Sequence, residues 1–324
     1  MKVLITGGAG YIGAITNDYL KKQDYETVVF DSLKNGHREA IAGTKLVVGD
    51  LTIKSDIDEV FKADTFDAVI HFAALALAPE SMEKPFEYYQ NNVLGSLNLL
   101  ESMRNAGCKN LVFSSTCAVY GYPKKLPVTE DEKIAPESVY GSSKRIVEEI
   151  IEWYGQVYGL KYMNLRYFNA AGAALDGTLG ENHAVETHII PILLDVISGT
   201  RKVFELYGKD YPTPDGTCIR DYIHVVDLAR AHVAALKGQS GSVNLGVGKG
   251  YSNLEVISVV EKVTGKKVPV EVKSRRPGDP ASIYADNTKA KKLLGWEPKH
   301  SDLETIVESA WKYHEKRILD ENRD

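Results

Sequence analysis

The first half of the chain alternates short apolar runs with longer segments that have helical periodicity. The apolar runs are continuous rather than alternating, as in parallel strands that are buried on both faces. They predict strands at Val3–Thr6, Thr27–Phe30, Lys45–Val48, Ala68–Phe72 and Leu111–Phe113. The segments between them predict helices over Ile12–Lys21, Asp56–Phe61 and Pro85–Arg104.

The order of these elements indicates a parallel sheet. Strand–helix alternation is typical of βαβ units with right-handed crossovers. A long predicted helix over Tyr140–Tyr158 and a strand over Tyr162–Arg166 continue the alternation. We therefore expect an α/β protein, with a Rossmann-type doubly wound parallel sheet and a smaller C-terminal α/β domain for substrate binding.

The second half of the chain has a different pattern. Gly, Pro, Asp and Thr cluster at Tyr207–Thr217, and shorter elements follow up to a final predicted helix over Leu303–Lys316. We therefore expect a first domain over residues 1–168 and a smaller second domain over residues 169–324. The segment 220–237 is expected to return to the first domain.

Composition narrows the class of protein. The 324 residues fit about two domains, and 44% hydrophobic with 26% charged residues exclude disorder and coiled coil. A net charge of −5 argues against nucleic-acid binding, and no apolar run reaches the roughly 20 residues of a membrane span.

The N-terminus predicts a strand rather than a signal peptide. The unpatterned thiols fit a reducing cytoplasm, and they are Cys108, Cys117 and Cys218.

A glycine-rich turn between the first strand and the first helix predicts a dinucleotide site. Gly7, Gly10 and Gly13 allow a tight turn, and the following helix offers free N–H groups to a pyrophosphate. Asp31 ends the second strand, where a carboxylate binds the adenosine ribose and repels a 2′-phosphate, which favours NAD. Asp50 ends the third strand; alone it fits a turn residue, and beside the other residues it predicts an adenine contact.

A second group of residues predicts acid–base chemistry. Tyr140 and Lys144 lie four residues apart and therefore share one helix face. A nearby ammonium and a cationic nicotinamide favour the phenolate, which makes the tyrosine a usable base. The hydroxyl cluster Ser114–Thr116 ends the fifth predicted strand, at the sheet edge where open α/β folds bind ligands.

These motifs resemble the extended short-chain dehydrogenase/reductase superfamily and, within it, the family of 4-epimerases that act on UDP-glucose and UDP-galactose. The resemblance covers almost the whole chain. Its most specific parts are Arg166–Asn169 and Tyr211–Val225. The other matching stretches are Gly7–Gly13, His71–Ala74, Glu80–Pro85, Asn91–Val93, Ser114–Gly121, Tyr140–Lys144, Gly208–Asp227 and Arg275–Asp279.

The resemblance implies a role for each matching residue. Tyr140 is the expected base for the sugar 4-hydroxyl, Lys144 holds the nicotinamide ribose and lowers the tyrosine pKa, and Thr116 binds the reacting oxygen. The expected NAD site contains Gly7, Gly10, Tyr11, Ile12, Gly13, Asp31, Asn35, Asp50, Leu51, Phe72, Ala73, Ala74, Asn91, Ser114, Tyr140, Lys144 and Tyr167. The expected UDP-sugar site contains Thr116, Tyr140, Asn169, His188, Ile189, Arg220, Arg276 and Asp279.

The resemblance implies reversible inversion at C4 of a UDP-hexose, with NAD as cofactor and a place in galactose metabolism. The sequence departs from the family pattern at Ala14-Ile15 and at Ala76, which leaves the affinity for NAD open. Ile283 stands where family members gate the sugar pocket. The chain therefore remains open to a UDP-linked N-acetylhexosamine, pentose or uronate.

Two other functions fit the sequence less well. A nucleotide-sugar 4,6-dehydratase needs Asp-Glu directly after the strand-five threonine, and this chain has Cys117 and Ala118 there, which cannot exchange the required protons. A catalytically silent NAD sensor is disfavoured because Tyr140, Lys144 and Thr116 are retained.

Two further expectations concern assembly and metals. The resemblance implies a homodimer that pairs two helices, Tyr88–Leu100 with its flanks and Tyr140–Tyr158, across the subunit interface. We expect no metal, because His71, His183, His224 and His232 show no metal-ligand spacing.

Overall fold

The computed structural model describes residues 1–276 and 278–321. The strands are β1 Lys2–Thr6, β2 Glu26–Asp31, β3 Lys45–Val48, β4 Ala68–His71, β5 Asn110–Thr116, β6 Lys161–Tyr167, β7 Asn169–Ala171, β8 Phe204–Tyr207, β9 Ile219–Arg220, β10 Tyr222–His224, β11 Gly241–Leu245, β12 Tyr251–Ser252, β13 Val270–Lys273 and β14 Ser282–Ile283. The helices are α1 Tyr11–Lys21, α2 Lys54–Ala63, α3 Ala78–Glu83, α4 Pro85–Tyr88, α5 Gly95–Ala106, α6 Val139–Tyr158, α7 Ile189–Ser198, α8 Val225–Ala235, α9 Asn253–Thr264, α10 Thr288–Leu294 and α11 Leu303–Glu321. No helix in these ranges is long and apolar enough to cross a membrane.

A parallel sheet organises the fold. Its strand order among the described residues is β11-β6-β5-β4-β1-β2-β3, which is the order of a doubly wound sheet with one strand added at the edge. Val3, Leu4 and Ile5 in β1 are fully buried, as expected for a central strand covered by helices on both faces. The predicted Rossmann-type fold is confirmed. Its topological switch point lies between β1 and β4, where ligands bind in such sheets.

The later part of the chain contributes to this sheet and also builds a second core. β11 pairs with β6, and α8 packs against α1 through Leu228 and Ala231. The predicted return of residues 220–237 therefore includes α8, and β11 lies beyond it. A separate core forms between α7, α9 and α11 around Leu193, Val256 and Ile306. The two-domain division at residue 168 stays a prediction.

Two helices differ from the sequence-based prediction. The helix predicted over Pro85–Arg104 is interrupted by a π-helical turn over Tyr89–Leu94. The turn coincides with the buried Asn92, whose side chain hydrogen-bonds both backbone groups of Leu75 and the Ser143 hydroxyl. The last helix continues to Glu321, five residues beyond the predicted end.

A buried ion pair joins the elements that carry the predicted catalytic residues. Glu148 in α6 has no exposed side-chain surface. It accepts two hydrogen bonds from Arg166 in β6, at 2.9 and 2.7 Å, and one from the Ser115 hydroxyl in β5, at 2.6 Å. Arg166 also donates to the Tyr120 hydroxyl at 2.9 Å. The pair therefore fixes α6 against two neighbouring strands.

We predict that Glu148→Gln destabilises the fold. The amide keeps the volume but leaves the Arg166 guanidinium buried without a counter-charge, which costs about 3–5 kcal/mol. Urea unfolding of the purified variant measures this loss.

Glu149→Gln is the matched control, because Glu149 is the next residue along α6 and its side chain is 54% exposed. We expect that change to stay within about 0.5 kcal/mol of the wild type. Equal losses in the two variants would contradict the role given to Glu148.

Candidate active site

The turn after β1 contains three glycines. At two of them a side chain would clash with the protein backbone, and at the third there is room for one. Gly7 has φ +72°, and a Cβ there would overlap the Ala73 backbone nitrogen. A Cβ at Gly13 would overlap the Gly7 carbonyl oxygen. At Gly10 the nearest atom would lie 3.5 Å away, which is ordinary contact. The open face of the turn is therefore at Gly10.

The first turn of α1 provides a site for an anion. Gly10 is the residue before the helix and no side chain caps the helix there, so the first N–H groups are free of such a partner. Asp31 lies beside this turn, and its carboxylate accepts from Ala9 N at 2.9 Å and Leu33 N at 2.8 Å. The glycine cradle and the fixed carboxylate fit a dinucleotide such as NAD.

Two loops line the adjacent sheet edge. Asp50 after β3 pairs with Lys34 at 2.7 Å and accepts from Thr52. Burial opposes ionisation of Asp50, but Lys34 and Thr52 outweigh it and lower its pKa. Asn35 is exposed and Leu51 is buried in the same region.

The remaining predicted NAD residues are distributed around this edge. Ala73 N donates to Thr6 O at 3.0 Å, which places the predicted residues 72–74 beside the glycine turn. Tyr11 and Ile12 begin α1, and the Tyr11 hydroxyl donates to Gly172 O at 2.5 Å. Asn91 lies in the π-helical turn and donates to Asn92 Oδ1 at 3.0 Å.

The predicted catalytic residues meet where β5 ends and α6 begins. Thr116 lies close enough to Tyr140 to favour the ionised phenol and so to lower the pKa of Tyr140. Lys144 Nζ donates to Ser114 O at 2.8 Å, and the Ser114 hydroxyl contacts the Tyr167 hydroxyl at 2.6 Å. The structure therefore brings all five side chains into one group.

Burial controls the protonation of this group. It raises the pKa of Tyr140 well above its usual range, although Thr116 opposes the rise. It also lowers the pKa of Lys144 to about 7, partly offset by Glu148. Lys144 Nζ donates to Ser114 O and is not among the groups that shift the pKa of Tyr140. The lowering of the tyrosine pKa by Lys144 therefore stays a prediction.

The residues predicted for UDP-sugar binding, apart from Thr116 and Tyr140, lie in three places. Arg220 Nη2 lies 3.4 Å from Asp279 Oδ1, and Asn169 Nδ2 donates to Asp221 O at 2.9 Å. The Arg276 guanidinium lies over the Tyr207 ring, 3.9 Å from its centroid, and the Arg276 carbonyl accepts from Asp279 N at 3.5 Å. His188 and Ile189 lie where α7 begins, and His188 Nδ1 contacts Glu181 Oε1 at 2.5 Å.

Sequence reasoning missed residues that position the site. The buried Ser81 hydroxyl accepts from Tyr140 N at 3.0 Å, and Ser138 caps α6 by accepting from Gly141 N at 3.1 Å. Ser81 lies within Glu80–Pro85, a stretch that matches the family but to which the resemblance gives no role. Glu148 had one available signal, because it lies four residues after Lys144 on the same helix face.

The sheet, the glycine turn at its switch point and the Tyr–Lys pair define a dinucleotide-dependent enzyme of the Rossmann type. The model of the NAD dependent epimerase/dehydratase family matches residues 3–246. The chain belongs to this family, and NAD is its cofactor.

The proteins that this chain resembles include UDP-glucose 4-epimerases. The UDP-glucose 4-epimerase of Halalkalibacterium halodurans is 48% identical over 98% of this chain and 96% of its own. The structure of UDP-glucose 4-epimerase from Brucella ovis in complex with NAD is 46% identical, with a TM-score of 0.94 over 97% of this chain and 98% of that one. UDP-glucose 4-epimerase from Bifidobacterium longum, in complex with NAD+ and UDP, is 39% identical, with a TM-score of 0.93 over 98% and 99%.

We predict that substitutions at two glycines of the turn separate folding from NAD binding. Gly13→Ala places a methyl group against the Gly7 carbonyl and costs about 2 kcal/mol or more of folding free energy. Gly10→Ala meets no protein atom closely, so folding changes by less than about 1 kcal/mol. Its methyl group instead projects from the open face and weakens NAD binding about tenfold or more, a loss of about 1.4 kcal/mol.

Calorimetric titration of cofactor-free protein with NAD and urea unfolding measure the two effects. Gly107→Ala is the control for NAD binding, because Gly107 ends α5 away from the turn. Its φ of +74° costs the alanine about 1 kcal/mol of stability, and we expect the affinity for NAD to stay that of the wild type. A Gly10→Ala protein with the wild-type affinity for NAD would show that the pyrophosphate does not approach this glycine.

Proposed function

We propose that this protein is an NAD-dependent 4-epimerase that interconverts UDP-glucose and UDP-galactose. The observation that carries the proposal is that Tyr140 and Lys144 share one face of α6 at the end of β5, where Lys144 Nζ donates to Ser114 O at 2.8 Å and Thr116 favours ionisation of the Tyr140 phenol. Similarity to UDP-glucose 4-epimerases over nearly the whole chain supports the same function.

In the proposed reaction, Tyr140 takes the proton of the sugar 4-hydroxyl and later returns it. Thr116 would hold the 4-oxygen beside the phenol, and Lys144, whose Nζ donates to Ser114 O, would hold the nicotinamide ribose. When bound, NAD accepts a hydride from C4 and gives it back. The 4-keto sugar turns over between the two transfers, so the hydride returns to the opposite face.

Binding of the nucleotide part leaves the sugar free to turn. Arg220 and Arg276 present guanidinium groups that match a diphosphate. Contacts far from C4 supply binding energy without restraining the reacting ring. This division explains how one site accepts both orientations of the 4-keto sugar.

The structure favours epimerisation over 4,6-dehydration. Burial raises the pKa of Cys117 to about 12, and Ala118 offers only its backbone N–H, which donates to Thr116 Oγ1 at 3.2 Å. Neither residue can remove a proton from C5 or protonate a leaving hydroxyl at neutral pH. The buried Ile283 pairs with Arg220 across β9 and β14, which supports its proposed place at the sugar pocket.

We predict that Tyr140→Phe abolishes most of the epimerase activity. Loss of the proton-transferring hydroxyl lowers kcat about 100-fold or more. Purified protein is incubated separately with UDP-galactose and UDP-N-acetylgalactosamine, without added NAD, and the nucleotide sugars are separated. The two substrates decide whether N-acetylated sugars are accepted.

Tyr154→Phe is the matched control in the same helix, because its hydroxyl donates to Glu101 Oε2 at 3.2 Å and lies outside the site. We expect it to keep wild-type turnover, and both variants to keep bound NAD. Turnover like that of the wild type in Tyr140→Phe would refute the proposed function.

We also propose a cytoplasmic homodimer that pairs α5 and α6 across the interface. The two helices adjoin, and they and the preceding α4 expose large apolar side chains: Phe86 is 75%, Trp153 64% and Val157 63% exposed. Exposed apolar surface of this kind marks protein interfaces. The free thiols of Cys108, Cys117 and Cys218 support the cytoplasm.

We predict that Trp153→Glu weakens dimerisation, since it places a charge in the apolar interface. Sedimentation equilibrium is expected to show a wild-type dimer and a dissociation constant at least about tenfold higher in the variant. Val272→Glu is the control, because Val272 in β13 is similarly apolar and 52% exposed but lies outside α5 and α6. A monomeric wild-type protein would refute the dimer.

A further inference from the structure

Four side chains in the loop between β7 and α7 form a compact cluster. One ligand atom each from Glu181, His183, Glu186 and His188 lies within 4.8 Å of all the others. The Glu181 side chain is 5% exposed and that of Glu186 11%. In the sequence, His183 shows no metal-ligand spacing with His71, His224 or His232. The fold brings it instead to two glutamates and a histidine.

The spacing within the cluster is that of ligands around one small ion. His183 Nδ1 lies 3.2 Å from Glu181 Oε1 and 3.5 Å from Glu186 Oε2. His188 Nδ1 lies 3.4 Å from Glu186 Oε1, and 2.5 Å from Glu181 Oε1. Bonds of about 2.0–2.1 Å in a tetrahedral site separate the ligand atoms by about 3.3 Å. Three of these four separations are near this value. Glu186 makes its two contacts through different carboxylate oxygens, and with one atom from each residue the separations extend to 4.8 Å, so the ligands contract around a bound ion.

The orientation of His183 is an independent observation. Its Nδ1 atom is buried, although the side chain as a whole is 32% exposed, and it makes no well-directed hydrogen bond to the two carboxylate oxygens that lie within 3.5 Å and raise its pKa. The nitrogen is thus aligned with neither oxygen. A buried polar atom without a partner is costly, and a ligand shared with the two carboxylates removes that cost.

We propose that Glu181, His183, Glu186 and His188 bind a divalent transition-metal ion, with Zn2+ as the ion that this donor set favours. Two imidazole nitrogens and two carboxylate oxygens suit tetrahedral Zn2+. Ca2+ and Mg2+ require more oxygen ligands than the cluster provides. The two buried carboxylates balance the charge of the ion when both imidazoles are neutral.

The position of the loop indicates a structural role for the ion. The Asn182 carbonyl accepts from His37 Nε2 at 3.0 Å, in the segment after β2, and its side chain accepts from Arg317 in α11 at 3.0 Å. His188 directly precedes α7. Four protein ligands leave no open position, which is typical of structural zinc. The ion therefore braces the loop where elements of the cofactor sheet, α7 and α11 converge.

Cobalt provides the test, because tetrahedral Co2+ absorbs strongly in the visible range. Untagged protein is stripped with chelator and titrated with Co2+ and then with Zn2+. We expect the absorbance to saturate at one Co2+ per chain and to disappear when Zn2+ displaces it. His183→Ala and Glu186→Gln are expected to lose the signal, and His300→Ala, outside the cluster, is expected to keep it.

A cysteine variant covers the case in which His183→Ala does not fold. His183→Cys supplies another Zn2+ and Co2+ ligand, so it is expected to bind Co2+ and to add a sulfur-to-cobalt charge-transfer band. Zn2+ is also expected to raise the melting temperature of the wild type, reversibly with chelator, because it binds only the folded state.

A wild-type protein that binds no Co2+ would overturn the proposal and leave a cluster of protonated histidines paired with carboxylates. So would a signal unchanged in His183→Ala, or a cysteine variant without the sulfur band. The proposal does not depend on the epimerase activity, so Tyr140→Phe leaves each of these results unaffected.

Discussion

The buried pair of Glu148 and Arg166 is the interaction on which the active site depends. It joins α6, which carries Tyr140 and Lys144, to β5 and β6. Ser115 hydrogen-bonds Glu148 and directly precedes Thr116 in the chain, so the pair also fixes the strand end that carries this threonine. Buried ion pairs often add little net stability compared with well-packed apolar residues. We interpret this one as a device that holds Tyr140 and Thr116 in one geometry.

Burial of Lys144 in the candidate site lowers the stability of the folded protein. Lys144 loses solvent on folding, and its pKa falls from 10.5 to about 7. Below about pH 7 the folded and unfolded states are both protonated, and the full cost of burying the charge applies. Between about pH 7 and 10.5 the unfolded state binds more protons, so stability rises with pH and the cost disappears. A lysine retained at such a cost is typical of a functional site.

The sequence predicts those features that depend on local pattern. The continuous apolar residues of β1 indicate a strand buried on both faces, and the glycine spacing and Asp31 indicate the dinucleotide turn. The Tyr140–Lys144 spacing places both side chains on one helix face. Each of these features depends on residues close together in the chain or on a regular period.

Features that depend on contacts across the fold could not be predicted in this way. Ser81 meets Tyr140 N from a short helix 59 residues earlier in the chain. The π-helical turn accommodates Asn92, whose partners come from the loop after β4 and from α6. The histidine–glutamate cluster lies in an irregular loop, where no period indicates which side chains face one another. In all three cases the tertiary structure, rather than local propensity, selects the partners.

The charge of the chain shows the same contrast between global and local properties. A net charge of −5 does not suggest a protein that binds a diphosphate. Arg220, however, is only 14% exposed, and its contact with Asp279 is long, at 3.4 Å. Arg220 Nη1 also donates to Ile219 O at 2.9 Å, so these two contacts keep the guanidinium in place and use only part of its fork of donors. A diphosphate accepts several charge-assisted hydrogen bonds from that fork, so it competes well for the arginine. In the proposed function, the local placement of a few cations therefore matters more for binding than the net charge.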